Sequence, residues 1–155
     1  MKQIKYTETQ HMYWFVIFFS VITILIILST FFGLGNNPIP SWGAGGLLAS
    51  IIFFPILILY NMKITIDTEL ASVKFGIGWI KRQIPVQDLD LSTAEIVQLP
   101  WYAGIGYRIS LRGTFFNTKP GTALLIKTKN RNTEFFVGTK HGKQIITILQ
   151  KIQNS

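Results

Sequence analysis

A stretch of about 50 residues near the N-terminus contains no ionisable Lys, Arg, Asp, Glu or His side chain. It begins after His11 and ends before Lys63. A water-soluble domain rarely leaves such a length uncharged, because its surface must face water. The chain as a whole nevertheless carries a formal net charge of +8. Hydrophobicity and charge are therefore segregated along the sequence, which indicates a membrane segment followed by a basic domain.

Two apolar runs lie within this stretch, at 13–32 and 42–60. At roughly 1.5 Å per residue, each is long enough as a helix to cross a hydrocarbon core of about 30 Å. Segment 33–41 between them holds two prolines and two asparagines, which is typical of a turn. We therefore predict an antiparallel pair of transmembrane helices. A cleaved signal peptide is the alternative for the first run, but the run is too long and no small-residue cleavage site follows it.

The second run contains two pairs of small residues at a spacing of four, Gly45 with Ala49 and Gly46 with Ser50. Such pairs let two membrane helices approach closely, although small residues are also common in these helices for other reasons. Polar aromatic residues mark the ends of both runs, as expected at a membrane interface. They are Tyr13, Trp14, Trp42 and Tyr60.

The distribution of basic residues predicts the orientation, because Lys and Arg favour the cytoplasmic side. The turn 33–41 has none, whereas both flanks of the helical pair are basic. We expect a multi-pass protein of the cell (plasma) membrane, with residues 1–12 and 61–155 cytoplasmic and the turn external. The flanking basic residues are Lys2, Lys5, Lys63, Lys74, Lys81 and Arg82.

Residues 61–155 are predicted to form one small β-rich domain. Apolar and polar residues alternate in several segments separated by turn residues, and 130–132 reads as a hairpin loop. The last segment changes to helical spacing, with Thr139 as a candidate N-cap. The fold expected is α+β: a sandwich or barrel of six or seven strands capped by a C-terminal helix. Predicted core residues are Ile64, Ile66, Phe75, Ile109, Leu149 and Ile152.

Three short motifs occur in a suggestive order. Residues 101–108 read WYAGIGYR, 111–117 read LRGTFFN, and 136–139 read FVGT. With the two apolar helices before them and the amphipathic helix after them, they resemble the bacterial pleckstrin-homology-like (PH-like) domains of small membrane proteins. The resemblance covers about 62–153. It implies a PH-like fold and membrane association, but it does not fix an activity.

No catalytic constellation is found in the sequence. There is no cysteine, and neither histidine has an acid or nucleophile at a recognisable spacing. Asp88 and Asp90 could share a proton or bind a cation, but such a pair is more often a solvated loop. We therefore expect a protein that is not an enzyme and that needs no cofactor or metal, and we expect no nucleic-acid partner.

The basic residues of the β-rich half are the best candidates for function, since each cation near an anionic leaflet contributes about 1 kcal/mol of binding. The expected activity is that of a membrane-anchored binding or scaffold module that contacts a protein partner, anionic phospholipid headgroups, or both. The alternative is a structural or regulatory subunit, or a homo-oligomer, recruited through the helical pair. The candidate lipid-binding residues are Lys81, Arg82, Arg108 and Arg112.

Overall fold

A computed structural model of the chain describes residues 3–33, 42–100, 106–110, 113–129 and 134–154. Within these ranges the chain forms three α-helices and nine strands. In chain order they are β1 (Ile4–His11), α1 (Tyr13–Phe32), α2 (Trp42–Leu59), β2 (Asn61–Asp67), β3 (Leu70–Phe75), β4 (Lys81–Pro85), β5 (Leu89–Leu99), β6 (Gly106–Ser110), β7 (Gly113–Asn117), β8 (Gly121–Thr128), β9 (Glu134–Gly138) and α3 (Gly142–Gln153), with a 3-10 turn at Val86–Asp88.

The two long helices follow the apolar runs closely. Helix α1 has the predicted bounds and α2 ends one residue earlier than predicted. Both are long and apolar enough to cross a membrane. They are antiparallel, since the end of α1 meets the start of α2: the rings of Phe31 and Trp42 lie 5.4 Å apart, edge to face.

One of the two predicted small-residue pairs lies between the helices. Gly45 and Ala49 are buried, and a Cβ at Gly45 would collide with the side chain of Thr30. Gly46 has no neighbouring atom at its Cβ position, and both it and Ser50 are exposed on another side of α2. Of the two pairs, therefore, only Gly45 and Ala49 contribute to the close approach of the helices.

The β-rich half consists of two sheets. The first has the order β1-β2-β3-β4 and is antiparallel; the second has the order β5-β8-β9-β7-β6, with only β7 and β9 parallel. Alternation builds the first sheet: Met62, Ile64 and Ile66 of β2 are buried, while Lys63 and Thr65 between them face outwards. The inner faces of both sheets form one hydrophobic core.

Helix α3 closes this core with Ile145, Leu149 and Ile152. Of the six predicted core residues, five are buried, and the side chain of Ile109 lies outside the described set. The predicted cap is wrong: the helix begins at Gly142, with His141 at the N-cap position. Thr139 still belongs to the end of the sheet, because its backbone N–H donates to Thr122.

The α+β class is confirmed, but the strand number differs from the prediction. Eight described strands follow α2, and a ninth comes from residues 4–11, for which no secondary structure is predicted from the sequence. The inward residues of β1 are Tyr6, Glu8 and Gln10, opposite the apolar residues of β2. Because its inner face is polar, this strand lacks the alternation that would have revealed it. The predicted loop 130–132 and the turn residues 34–41 lie outside the described residues.

The first sheet joins the helical pair directly. Strand β1 leads into α1 and strand β2 follows α2, and the two strands pair from His11 with Asn61 onwards. The backbone N–H of Met12 donates to the carbonyl of Tyr60 (3.0 Å), and the Met12 side chain is buried. No flexible linker separates helices from sheet at this junction.

Candidate functional site

Three lysines lie side by side on the outer face of the first sheet. Lys63 of β2 is directly opposite Lys74 of β3, and Lys74 is directly opposite Lys81 of β4. We call these three residues the lysine row. The next strand, β1, places Thr9 rather than an acid opposite Lys63. Like charges directly opposite each other destabilise a sheet, so this arrangement needs an explanation outside the sheet itself.

A row of small polar residues borders the lysine row on the same face. Thr65, Ser72 and Gln83 are opposite one another on the same three strands, and the Ser72 hydroxyl donates to the Thr65 carbonyl (3.1 Å). Together the two rows line a shallow depression of about 210 Å³. Ammonium and hydroxyl donors around a shallow depression suit an anionic oxygen group.

The lysine row lies at the end of the first sheet that is nearest the helices. Helix α2 ends at Leu59 and β2 begins at Asn61, so Lys63 follows the helix by four residues. Lys74 and Lys81 flank the loop 76–80 that connects β3 to β4. That loop contacts α2, because the backbone N–H of Ile77 donates to the carbonyl of Leu57 (3.4 Å). The backbone N–H of Gly76 donates to Asn61, the first residue of β2 (2.8 Å).

The structure does not bring the four predicted lipid-binding residues together. Lys81 belongs to the lysine row. Its neighbour Arg82 is on the opposite face of β4, half-buried, where its Nη1 donates to Thr114 Oγ1 of β7 (2.7 Å). Its Nε is buried without a partner. Arg108 is exposed on β6, at the edge of the second sheet, and Arg112 lies outside the described residues. Arg82 thus links the two sheets.

Lys63 and Lys74 are predicted from the sequence only as flanking residues that set the orientation, and they are not among the predicted lipid-binding residues with Lys81. A local signal could have grouped them. The Asp67 carboxylate accepts the backbone N–H groups of Glu69 and Leu70, which marks the β2–β3 turn. Residues equally far from that turn must pair, and Lys63 and Lys74 are such a pair.

A second, larger cleft of about 430 Å³ lies between β1 and the end of the second sheet. At its base, Glu8 accepts hydrogen bonds from Tyr6 (2.8 Å), Gln10 (2.8 Å) and Thr139 (2.7 Å). Burial and the nearby Glu8 carboxylate raise the pKa of Tyr6 above its ordinary value. Gln10 also donates to the Gly138 carbonyl (2.8 Å). These bonds fasten the edge strand β1 to the second sheet.

Acidic residues form no metal site within the described ranges, where no group of three His, Asp or Glu converges. The predicted pair Asp88 and Asp90 has local roles instead. The Ser92 hydroxyl and backbone N–H both donate to Asp90, and the hydroxyl bond is the main reason that the pKa of Asp90 is below its ordinary value. The Asp88 carbonyl accepts the backbone N–H of Lys129.

Comparison of the chain with protein-family models, with curated proteins and with solved structures gives no match.

Proposed function

We propose that this protein is a non-enzymatic, membrane-anchored module with a PH-like domain, and that the first sheet of that domain contacts anionic phospholipid headgroups. Two packed sheets closed by a C-terminal helix are consistent with the PH-like fold that the motifs suggest. The single observation that carries the proposal is the register of the lysine row at the helix-proximal end of the first sheet.

The helical pair supports membrane anchoring through its exposure as well as its length. Helix α1 buries none of its residues, and α2 buries only Gly45, Ala49 and Ile56. An apolar helix in the core of a soluble protein would be mostly buried. Exposed Leu, Ile and Phe side chains around both helices instead require an apolar solvent, which a bilayer provides. In the proposed orientation both chain ends are cytoplasmic.

The direct joint between α2 and β2 supports lipid contact by the lysine row. Lys63 is four positions after Leu59, and four steps at roughly 3.3 Å per residue span at most about 13 Å. The long lysine side chains reach back part of that distance. Charges within about 8 Å of an anionic leaflet are not fully screened at physiological salt. Three cations at about 1 kcal/mol each would then hold the sheet against the headgroups.

The proposal can be tested by thermal unfolding of the full-length protein in a neutral detergent, with added phosphatidylglycerol or phosphatidylcholine. A ligand that binds only the folded state raises Tm. The test variant is Lys63→Gln/Lys74→Gln/Lys81→Gln. The matched control removes the same charge at exposed positions outside the lysine row: Lys5→Gln/Lys143→Gln/Lys151→Gln.

We expect phosphatidylglycerol to raise Tm for the parent and the control, and to raise it much less for the variant of the lysine row. Phosphatidylcholine should have little effect on any of them, and high salt should remove the difference. If the row variant responds to phosphatidylglycerol as the parent does, the lysine row does not bind lipid, and a protein partner becomes the better hypothesis.

The alternative function, a subunit recruited through the helical pair, is favoured by one observation. Gly46 and Ser50 form a small-residue surface on α2 that faces away from α1. A further helix could pack there. Replacing α1 and α2 with an unrelated helical pair separates the two functions, because a lipid-binding module retains its lipid response and a recruited subunit loses its complex.

A further inference from the structure

The loop between β3 and β4 presents large apolar side chains to the surroundings. Ile77 is 53% exposed and Trp79 is 67% exposed. Outside the two long helices they are the most exposed large apolar residues of the described chain. A tryptophan and an isoleucine at the tip of a short strand connection have no role in the core, so their exposure calls for an external apolar contact.

The backbone fixes this loop against α2. Gly76 has φ +46°, and a Cβ there would collide with the carbonyls of Leu57 and Ile58. The Ile77 N–H donates to Leu57 (3.4 Å), and the Gly78 N–H donates to Phe75 (2.7 Å). The loop is therefore bent along the helix by a close backbone approach that only glycine permits.

The loop runs alongside α2 and reaches residues that precede the C-terminal end of this helix. The ring of Trp79 is 5.5 Å from that of Phe54, which lies five residues before the last residue of α2. At 1.5 Å per residue this is about 7 to 8 Å below the end of the helix. Trp79 thus contacts a part of α2 that would be within the bilayer.

The lysine row lies next to the apolar tip of the loop. Lys74 is the next-to-last residue of β3 and Lys81 is the first residue of β4. Lys63 of β2 is opposite Lys74. Apolar residues next to a row of cations are typical of interfacial membrane anchors. In such anchors the apolar side chains enter the boundary between headgroups and acyl chains, and the cations contact the phosphates.

We propose that residues 77–79 insert into the boundary between headgroups and acyl chains of the phospholipid bilayer beside α2. This inference rests on the proposed function, because it requires α2 to cross the membrane. The loop is then a third membrane contact, separate from the two helices. It holds the lysine row at the level of the phosphates and prevents the domain from tilting away from the bilayer.

The insertion depth can be measured by fluorescence quenching in vesicles of phosphatidylcholine and phosphatidylglycerol. The full-length chain has four tryptophans, so one variant retains only Trp79 and a second retains only Trp42, at the first turn of α2. Lipids brominated on the acyl chain quench a buried indole, and iodide quenches one in water.

We expect bromolipids to quench both single-tryptophan variants and iodide to quench neither strongly. Quenching of Trp42 by bromolipids but of Trp79 by iodide would overturn the inference and leave the membrane-spanning helices intact. Protection of Trp79 from both agents would also overturn it, since a protein would then cover the loop. If bromolipids quench neither variant, the proposed function fails as well.

A second measurement avoids the triple replacement of tryptophan. The chain has no cysteine, so Trp79→Cys provides a unique site for a nitroxide spin label. In the bilayer the label should be relaxed by oxygen rather than by a water-soluble nickel chelate. Lys151→Cys, exposed on α3, is the matched aqueous control and should show the reverse. Equal nickel accessibility at both positions would overturn the insertion.

Discussion

The two sheets place a central lysine in opposite surroundings. On the first sheet, Lys74 lies between Lys63 and Lys81 on the neighbouring strands. On the second, Lys127 of β8 lies between Asp90 of β5 and Glu134 of β9. On the second sheet the neighbouring strands supply acidic residues opposite the lysine, whereas on the first the counter-charge must come from elsewhere. A basic net charge alone therefore does not locate a binding surface, but the cross-strand neighbours of each cation do.

The remainder of the two outer faces follows the same distinction. The first sheet continues with small hydroxyl and amide side chains and lies next to the helices. The second has an apolar stripe across its centre, in which the rings of Phe115 and Phe136 are 4.5 Å apart and Leu125 lies beside them. Glu95 and Arg108 lie at the two ends of this stripe. Of the two outer faces, as far as the structure describes them, the first combines unneutralised charge with proximity to the proposed membrane.

The largest effect is expected from a substitution in the hydrophobic core that the two sheets share, because it destabilises both sheets. Leu149→Asp places a carboxylate among buried residues of both sheets, and a buried unpaired charge costs several kcal/mol. We expect loss of cooperative unfolding and of protease resistance in residues 61–154. Gln150→Asp, on the exposed side of α3, is the control. A Leu149→Asp variant that melts like the parent would show that α3 does not close the core.

An intermediate effect is expected where the loop that connects β3 to β4 meets α2. Gly76→Ala adds a Cβ that collides with two backbone carbonyls, in addition to the strain of a positive φ. Gly78→Ala has the positive φ but only an ordinary contact with Lys74. Backbone strain alone costs about 1–3 kcal/mol, so Gly76→Ala should lower the thermal stability clearly more than Gly78→Ala. Equal losses would mean that the loop does not press on α2.

The smallest effect tests the comparison of the two lysines directly. In lipid-free detergent, Lys74→Glu replaces two repulsions by attractions, and Lys127→Glu does the reverse. Cross-strand charge pairs contribute roughly 0.2–1 kcal/mol. Chemical unfolding should therefore show Lys74→Glu slightly more stable than the parent and Lys127→Glu slightly less stable. The same sign for both variants would contradict the proposed difference between the faces.

Much of the fold follows from local patterns, and the site does not. The uncharged run predicts both long helices, and the spacing of Ile145, Leu149 and Ile152 predicts α3. The lysine row depends on which strands pair, so it becomes visible only when the β2–β3 turn is placed.

One error was avoidable: adjacent residues of a strand face opposite sides, so Lys81 and Arg82 could not share a surface. Strand β1 was not predictable, because two of its three inward residues, Glu8 and Gln10, make hydrogen bonds instead of apolar contacts.

The pairing of β1 with β2 has a consequence for synthesis. About 50 residues separate the two strands in sequence, and both long helices lie between them. A ribosome adding roughly 5–20 residues per second needs several seconds to make that interval. During this time β1 has no partner strand. In the proposed topology, His11 and Asn61 come together only after both helices are inserted. Pairing of β1 with β2 therefore requires that insertion of the helical pair is complete. A chain with one helix left outside would keep the edge of β2 unpaired, and an unpaired strand edge promotes aggregation.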